Sequence, residues 1–228
     1  MKNLQSIVEF IEINSEDIIN NIDIESISVY SFIKERFISS NIIDDYIFQF
    51  VYKSYYRIEN AGLTPDFKKR YFEILKELQN TKNFEIEKTI SDLYRIKNRK
   101  NQFSVQFSFT TKLLNTINEN LPIYDSEVAK VFSFSQPYSR PYNQKIEIYL
   151  NQYSQINDAY KRIIEENLLY NVVKKFDSKF TNNNIGAIKK LDFIFWSTGK
   201  IKNTIGDDGF LSIKELDFID ELSNKQIN

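Results

Sequence analysis

The side chains available for chemistry are limited, because the 228-residue chain contains no cysteine and no histidine. Thiolate nucleophiles, zinc–thiolate sites and disulfides are therefore excluded, and so are serine–histidine catalysis and histidine-ligated metal sites. Carboxylates, lysines, tyrosines and hydroxyl groups remain. We predict no metal and no other cofactor, so any catalysis has to rest on these groups.

The most informative stretch covers residues 107–131 and reads FSFTTKLLNTINENLPIYDSEVAKV. It predicts a helix, a tight loop that contains Pro122, and a second helix that begins after Asp125. Aspartate is among the best N-cap residues and stabilises a helix by about 1 kcal/mol, so capping alone would explain Asp125. A capping carboxylate that faces a cleft can also be catalytic, and the sequence leaves both interpretations open.

This stretch resembles the core of the helix-hairpin-helix DNA glycosylase superfamily, where a helix leads to an apolar segment that ends in a Val-Asp-Thr-His-Val type of motif. The segment Tyr124-Asp125-Ser126-Glu127-Val128 matches that motif. The resemblance implies that Asp125 takes the place of the catalytic aspartate. In the family this carboxylate helps to cleave the N-glycosidic bond of a flipped base, by stabilising the cationic sugar or by positioning the nucleophile. Tyr124 is then expected in the pocket.

The form TKLLNTINENLPIYDSEV is similar to a group of uncharacterised bacterial proteins with the pattern SKxLhxxxPxxxPIYDSxV and a later DxxxWxxGK element. That element is Asp192 to Lys200 here, with Trp196 at its centre. Spacing of four residues places the three side chains on one helical stripe. They would form a pocket wall or a base-stacking platform. The structural alternative has Trp196 in the core, Asp192 paired across the bundle and Lys200 at the helix C-terminus.

The chain departs from the superfamily in two places. The glycine-containing hairpin that grips a DNA phosphate is missing, since the matching region 102–108 has no glycine. The lysine of the bifunctional enzymes would fall at Gln106 or Phe107, and Lys112 lies on a different turn. An enzyme of this type would therefore be a monofunctional DNA N-glycosylase-like hydrolase, and it would need another way to hold DNA.

Basic residues near these motifs are the candidate DNA contacts. The net charge of −1 gives no global attraction to nucleic acid, so a local basic face would have to provide it. A cluster such as residues 95–100 is more often only a solvated helix end. The predicted nucleic-acid-binding residues are Lys97, Arg99, Lys100, Lys112, Arg140 and Lys200.

Helical spacing runs through the chain, and only five glycines and four prolines interrupt it. We predict an all-α bundle of about ten helices, with the glycosylase-like core that the resemblance implies. Helices are expected to begin near Asp44 and at Thr64-Pro65, and Gly199 is expected to end the helix over 185–198. The pattern also predicts separate helices over 143–157 and 158–176, and a last one over 212–222.

The proline-containing segment 137–142 is the one long break in this pattern. It separates region 1–136, which contains the glycosylase-like motif, from region 137–228, which we expect to pack on it. No segment has the length and apolarity of a membrane span or a signal peptide, so we expect a cytoplasmic protein, and the composition is typical of bacteria. Two functions stay open: a DNA-associated glycosylase, or a non-catalytic helical module that binds another protein and retains only the scaffold.

Overall fold

The computed structural model describes residues 4–81, 83–181 and 183–202, and these ranges are helical without any strand. The predicted all-α class is confirmed, with eleven helices in the described residues where about ten were expected. The predicted helix over 212–222 lies outside these residues. The helices are α1 (Leu4–Ile13), α2 (Ser15–Asn20), α3 (Ile24–Ser39), α4 (Tyr46–Tyr55), α5 (Pro65–Thr81), α6 (Ile86–Tyr94), α7 (Phe107–Ile117), α8 (Ser126–Val131), α9 (Tyr142–Glu165), α10 (Tyr170–Lys179) and α11 (Ala187–Ile201).

Side-chain caps begin several of these helices. The carboxylate of Asp45 accepts a hydrogen bond from the Phe48 amide at 3.0 Å, so α4 starts one residue later than the sequence suggests. The Thr64 hydroxyl accepts from the Phe67 amide at 3.3 Å and Pro65 is the first residue of α5, as its position predicts. Helical spacing after Asp44 predicts that Ile47 faces inward, and this prediction is wrong, because the side chain is 63% exposed.

Two hydrophobic cores fill the molecule. The first joins α1, α2 and the start of α3 to α8, α9, α10 and α11, and the second joins the end of α3 to α4, α5, α6 and α7. The first core takes residues from both sides of the boundary that the sequence suggests at residue 136. The division into regions 1–136 and 137–228 stays a prediction.

The amino-terminal helices pack against the carboxyl-terminal ones through specific hydrogen bonds. The Ser197 hydroxyl of α11 donates to the Ile18 carbonyl at 2.7 Å and accepts from the Asn21 side chain at 3.0 Å. The ammonium group of Lys179 donates to the carbonyls of Ile19, Asn20 and Ile22 at the end of α2. These bonds satisfy carbonyls that have no partner within their own helix.

One long helix replaces two predicted ones in the second half of the chain. Helix α9 is continuous over 24 residues, so the expected break at residue 157 is wrong. The chain turns instead at Asn167, whose φ of 53° lies in the left-handed region that asparagine tolerates comparatively well. Among the described residues, no helix combines the length and apolarity needed to cross a membrane.

Candidate functional site

Asp125 is the N-cap of α8, as the sequence predicts. Its backbone is extended, with φ of −139° and ψ of 178°, and its Oδ1 accepts hydrogen bonds from the amides of Glu127 at 2.9 Å and Val128 at 3.0 Å. Both bonds fall on one oxygen. Among the described residues Oδ2 makes no hydrogen bond, which leaves it available to a molecule bound beside it.

Three helices hold the loop that carries Asp125. The Thr111 hydroxyl of α7 accepts from the Tyr124 amide at 3.1 Å and donates to the Tyr124 carbonyl at 3.2 Å. The Tyr153 hydroxyl of α9 donates to the Pro122 carbonyl at 3.0 Å. From α11, the carboxylate of Asp192 accepts from the Ile123 amide at 3.0 Å. The position of Asp125 is therefore fixed from every side except the one that faces the cleft.

Helix α11 approaches α8 so closely that the backbones touch. A Cβ atom on Gly199 would lie 2.2 Å from the Glu127 carbonyl oxygen and 2.8 Å from its Cα. Real Cβ atoms do not approach so closely, so only glycine fits. The prediction that Gly199 ends its helix is wrong, because α11 continues to Ile201 and the glycine provides room for α8.

A cleft of about 650 Å³ opens beside Asp125. This volume lies within the range of about 300–1,000 Å³ that is typical of small-molecule sites. Its walls are rich in aromatic rings: Tyr55, Tyr56, Phe107, Tyr124, Tyr138, Tyr149, Phe193 and Trp196. Phe107 and Tyr149 stack at 4.8 Å with an angle of 7° between their planes. The cleft therefore offers flat apolar surfaces beside a carboxylate.

Two lysines bring positive charge to the carboxylate. Burial lowers the pKa of Lys112 and of Lys189, while the charge on Asp125 opposes that shift at both amines. The Lys112 ammonium lies 3.5 Å from the Tyr56 carbonyl and 5.3 Å from the centre of the Phe109 ring. Arg57 and Lys200 also line the cleft and are exposed.

Asp192 and Lys189 form a buried pair in the same cleft. They are 4% and 3% exposed, and the Lys189 ammonium lies 3.6 Å from Oδ2 of Asp192. Burial raises the pKa of Asp192 to about 7, against the opposing effects of Lys189 and the Ile123 amide. The structural alternative has Asp192 paired across the bundle. For the ion pair this is wrong, because the partner, Lys189, belongs to the same helix as Asp192. The hydrogen bond that Asp192 accepts from the Ile123 amide does cross to another element.

Trp196 is half-buried and lines the cleft, so the alternative that places it in the core is wrong. The ammonium of Lys200 lies 4.9 Å from the centre of the tryptophan ring. Tyr124 is buried at the cleft wall, and its hydroxyl donates to the Gln152 side chain at 2.8 Å. The helical stripe of Asp192, Trp196 and Lys200 thus forms one wall beside Asp125, with the spacing that the sequence gives.

The remaining predicted DNA contacts lie away from the cleft lining. Lys97, Arg99 and Lys100 follow α6, where the Arg99 guanidinium donates to the Leu63 carbonyl at 3.1 Å and the Lys97 ammonium lies 5.3 Å from the Phe103 ring centre. Arg140 is exposed in the loop before α9. This loop reaches the cleft through Tyr138, which is 77% exposed.

Sequence reasoning missed Lys189 and Arg57. In the apolar helix Ala187–Ile201, a lysine stands three residues before an aspartate, and this spacing in the sequence indicates a buried ion pair. Nothing local distinguishes Arg57, whose φ of 59° places it at a turn after α4. The positions implied for a lyase lysine, Gln106 and Phe107, do line the cleft but carry no amine.

A search of family models, of curated proteins and of solved structures found no match to this chain. Within the described residues, no group of three or more carboxylates is placed to hold a metal ion.

Proposed function

We propose that this protein is a monofunctional DNA N-glycosylase-like hydrolase, which cleaves the bond between a flipped base and its deoxyribose with Asp125 as the catalytic carboxylate. The observation that carries the proposal is the position of Asp125. It combines a free carboxylate oxygen with an aromatic cleft large enough for a base.

The carboxylate fits the charge that develops in this reaction. Breaking a glycosidic bond leaves positive charge on the sugar, and a fixed anion at that point stabilises the transition state. Because Oδ1 of Asp125 is held by two amides, the carboxylate cannot swing away, and Oδ2 is presented to the cleft. The firmly held loop keeps this geometry before substrate arrives.

The aromatic walls fit a nucleobase. Enzymes that act on a base remove it from the duplex and hold it against aromatic side chains, where stacking contributes about 1–3 kcal/mol per base. Trp196 on α11 and the Phe107–Tyr149 stack contribute such rings to the lining of the cleft. Tyr138 at the exposed edge is placed to contact the strand from which the base leaves.

The cations at the cleft fit the phosphates of the flipped nucleotide. Lys112, Arg57 and Lys200 line the cleft from α7, from the turn after α4 and from α11. They take the place of the missing glycine hairpin as the means of holding the DNA backbone. A phosphate would also compensate the cost of keeping the Lys112 ammonium buried.

Base release from modified duplexes tests the proposal. The wild-type chain is incubated with duplexes that contain uracil, hypoxanthine, 7-methylguanine or an abasic site, and free base is measured by mass spectrometry. We expect release from at least one base-containing duplex, and a loss of about 100-fold or more in Asp125→Asn. Asp158→Asn, an exposed aspartate on α9, is the matched control and should retain full activity. Unchanged release by Asp125→Asn refutes the assignment.

The alternative of a non-catalytic interaction module is favoured by a separate observation. Tyr46, Ile47 and Phe50 of α4 are between 63% and 77% exposed, and exposed apolar patches of this kind mark protein-binding surfaces. Native mass spectrometry of the protein purified from its host tests this function. A stable partner that is lost in Ile47→Lys, together with no base release by the wild type, would favour it over hydrolysis.

A further inference from the structure

Asp192 has one carboxylate oxygen that the fold leaves without a hydrogen bond. Its Oδ1 accepts from the Ile123 amide, whereas its buried Oδ2 has no hydrogen-bond partner among the described residues. The Lys189 ammonium lies 3.6 Å from Oδ2, and the Tyr160 hydroxyl, which is buried and also without a partner, interacts with the same carboxylate. A buried polar atom without a partner is costly, by about 1–3 kcal/mol, unless something else pairs with it. A proton is therefore expected on this carboxyl group.

Asp192 lines the same cleft as Asp125. Asp192 and Lys189 lie on α11 and Asp125 caps α8, and all three line one cavity. The Ile123 amide that holds Asp192 is two residues before Asp125, so one short loop positions both carboxylates. The two acids differ in their surroundings: two amides stabilise negative charge on Asp125, while Asp192 is almost fully removed from solvent.

The groups packed around Asp192 come from several helices. Burial raises its pKa to about 7, Lys189 and the Ile123 amide act against this shift, and the charge on Asp125 acts with it. The tyrosine hydroxyls near it have raised pKa values, first because of burial and also because of Asp192 itself, and so stay neutral. They are Tyr30 of α3, Tyr55 of α4, and Tyr153 and Tyr160 of α9. A neutral carboxylic acid is therefore well populated around neutral pH.

We propose that Asp192 is a second catalytic residue, the general acid that protonates the departing base; this assignment rests on the proposed hydrolase function. The O–H bond of the Asp192 carboxyl group breaks and its proton forms a bond to the base. The bond between C1′ and the base nitrogen breaks, and its electron pair passes to the base. Water then adds to C1′ beside Asp125, and the proton that this water loses returns to Asp192. The sum is glycoside plus water giving the free base and the sugar hydroxyl.

The chemistry of the leaving group tests this division between the two acids. Hypoxanthine is uncharged in DNA and needs a proton to depart as a neutral base, whereas 7-methylguanine is cationic and departs as a neutral base without one. We expect Asp192→Asn to slow hypoxanthine release by about 100-fold to 10,000-fold, the usual contribution of a general acid, and to change 7-methylguanine release by less than about tenfold. Asp125→Asn should slow both, because the sugar cation forms in either case.

Each pattern of release decides between the proposals. Equal losses on both bases in Asp192→Asn would mean a structural role and would overturn the general-acid assignment while leaving Asp125 in place. Release of 7-methylguanine alone by the wild type would also overturn it, because no acid is then needed. If the wild type releases hypoxanthine alone, the dependence of the rate on pH decides. The rate of the wild type should decline as the pH rises through about 7, and a decline that persists in Asp192→Asn would overturn the assignment. No release of any base refutes the hydrolase itself.

A measurement that does not depend on turnover guards against a variant that fails to fold. The asparagine can still accept the Ile123 amide, and circular dichroism checks that the variant is folded. In the full-length wild-type chain with ¹³C-labelled aspartate, carboxyl NMR follows each titration directly. A resonance with a midpoint between about pH 6 and pH 8 that disappears in Asp192→Asn supports the assignment. A midpoint below about pH 5 overturns it.

Discussion

The capping role of Asp125 and its proposed catalytic role use different oxygen atoms. Oδ1 receives both amides at the start of α8, and Oδ2 is left for the cleft. A substitution that preserves the capping oxygen but removes the charge should therefore separate stability from activity. Capping alone does not require that the carboxylate faces a cleft or that two lysines lie near it.

Two substitutions at Asp125 make this separation measurable. Asp125→Ala removes the cap and should lower the free energy of unfolding by about 1 kcal/mol. Asp125→Asn keeps an oxygen that accepts from the amides of Glu127 and Val128, so its loss of stability should be smaller. Urea denaturation gives both values, and base release should be lost in both variants. Equal stability of Asp125→Ala and the wild type would contradict the capping energetics.

Asp192 gives a prediction for stability as a function of pH. Its pKa is raised in the folded state from 3.8 to about 7, so the folded protein holds a proton that the unfolded chain releases between about pH 4 and pH 7. Stability from this group is therefore lost as the pH rises through that window. The free energy of unfolding of Asp192→Asn, relative to the wild type, should be greater at pH 8 than at pH 5. A difference that does not change with pH would contradict the raised pKa.

The sequence predicts site residues where a motif fixes their spacing. The four-residue steps from Asp192 through Trp196 to Lys200 hold because a helix imposes them, and Asp125 holds because caps follow a local rule. Arg57 reaches the cleft through tertiary packing, in which α4 lies against α3 and its Tyr52 hydroxyl bonds the Thr116 hydroxyl of α7 at 2.9 Å. No pattern of neighbouring residues could predict that placement.

At the scale of elements, the site depends on the contact between α8 and α11. The six-residue α8 is too short to be stable alone and is held by the long apolar helix behind it. Gly199 allows α11 to approach α8 this closely, so that Asp125 at the start of α8 and Asp192 on α11 line the same cleft. In the sequence, a glycine near the end of a helix predicts that the helix stops there. The neighbour that requires a glycine at position 199 is Glu127, about seventy residues earlier in the chain, so no local pattern reveals it.

A methyl group at this contact should damage both stability and activity. Gly199→Ala places Cβ 2.2 Å from the Glu127 carbonyl oxygen, so α8 has to move, at a cost of about 1–3 kcal/mol. Because Asp125 caps α8, base release should fall as well, and denaturation and kinetics on one preparation measure both.

Gly62→Ala is the matched control for this change. Its φ of 66° makes alanine strained, by about 1 kcal/mol, but nothing lies within 4 Å of the added Cβ and the cleft is elsewhere. This variant should lose stability and keep its rate of base release. A loss of rate at Gly62 as large as that at Gly199 would mean that global destabilisation, and not the α8 contact, limits activity.

Helix boundaries show which features of the fold a sequence reveals. Starts at Thr64 and Asp125 were predictable because the capping group lies within three residues of the amide it binds. The continuity of α9 was not predictable from the sequence, because the buried residues of α9 belong to a core that includes helices from both ends of the chain. The exposure of Ile47 likewise follows from tertiary packing, in which Phe48 and Tyr52 take the core side of α4.

At the scale of the whole molecule, the net charge decides how the proposed binding of DNA would have to work. The net charge is −1, so attraction at long range is absent and binding depends on the few cations at the cleft. Lys189 is almost fully buried beside Asp192, which leaves Arg57, Lys112 and Lys200 as the cleft cations for phosphates. A protein of this kind should bind DNA with a weak dependence on salt.

The salt dependence of binding measures how many phosphates the protein contacts. Each contact on duplex DNA changes the slope of log K against log salt by about 0.9, so three cations give a slope near −3, and Lys200→Gln should reduce it by about one. Lys174→Gln, exposed on α10, is the control and should leave the slope unchanged. Fluorescence anisotropy with a labelled duplex gives these slopes.

A wild-type slope of about −6 would require a larger basic face, and the cluster Lys97, Arg99 and Lys100 would then have to join the interface. Substituting those three residues would reduce a slope of that size by about three and would leave a slope near −3 unchanged, so the experiment separates a cleft-centred interface from one that extends to the loop after α6.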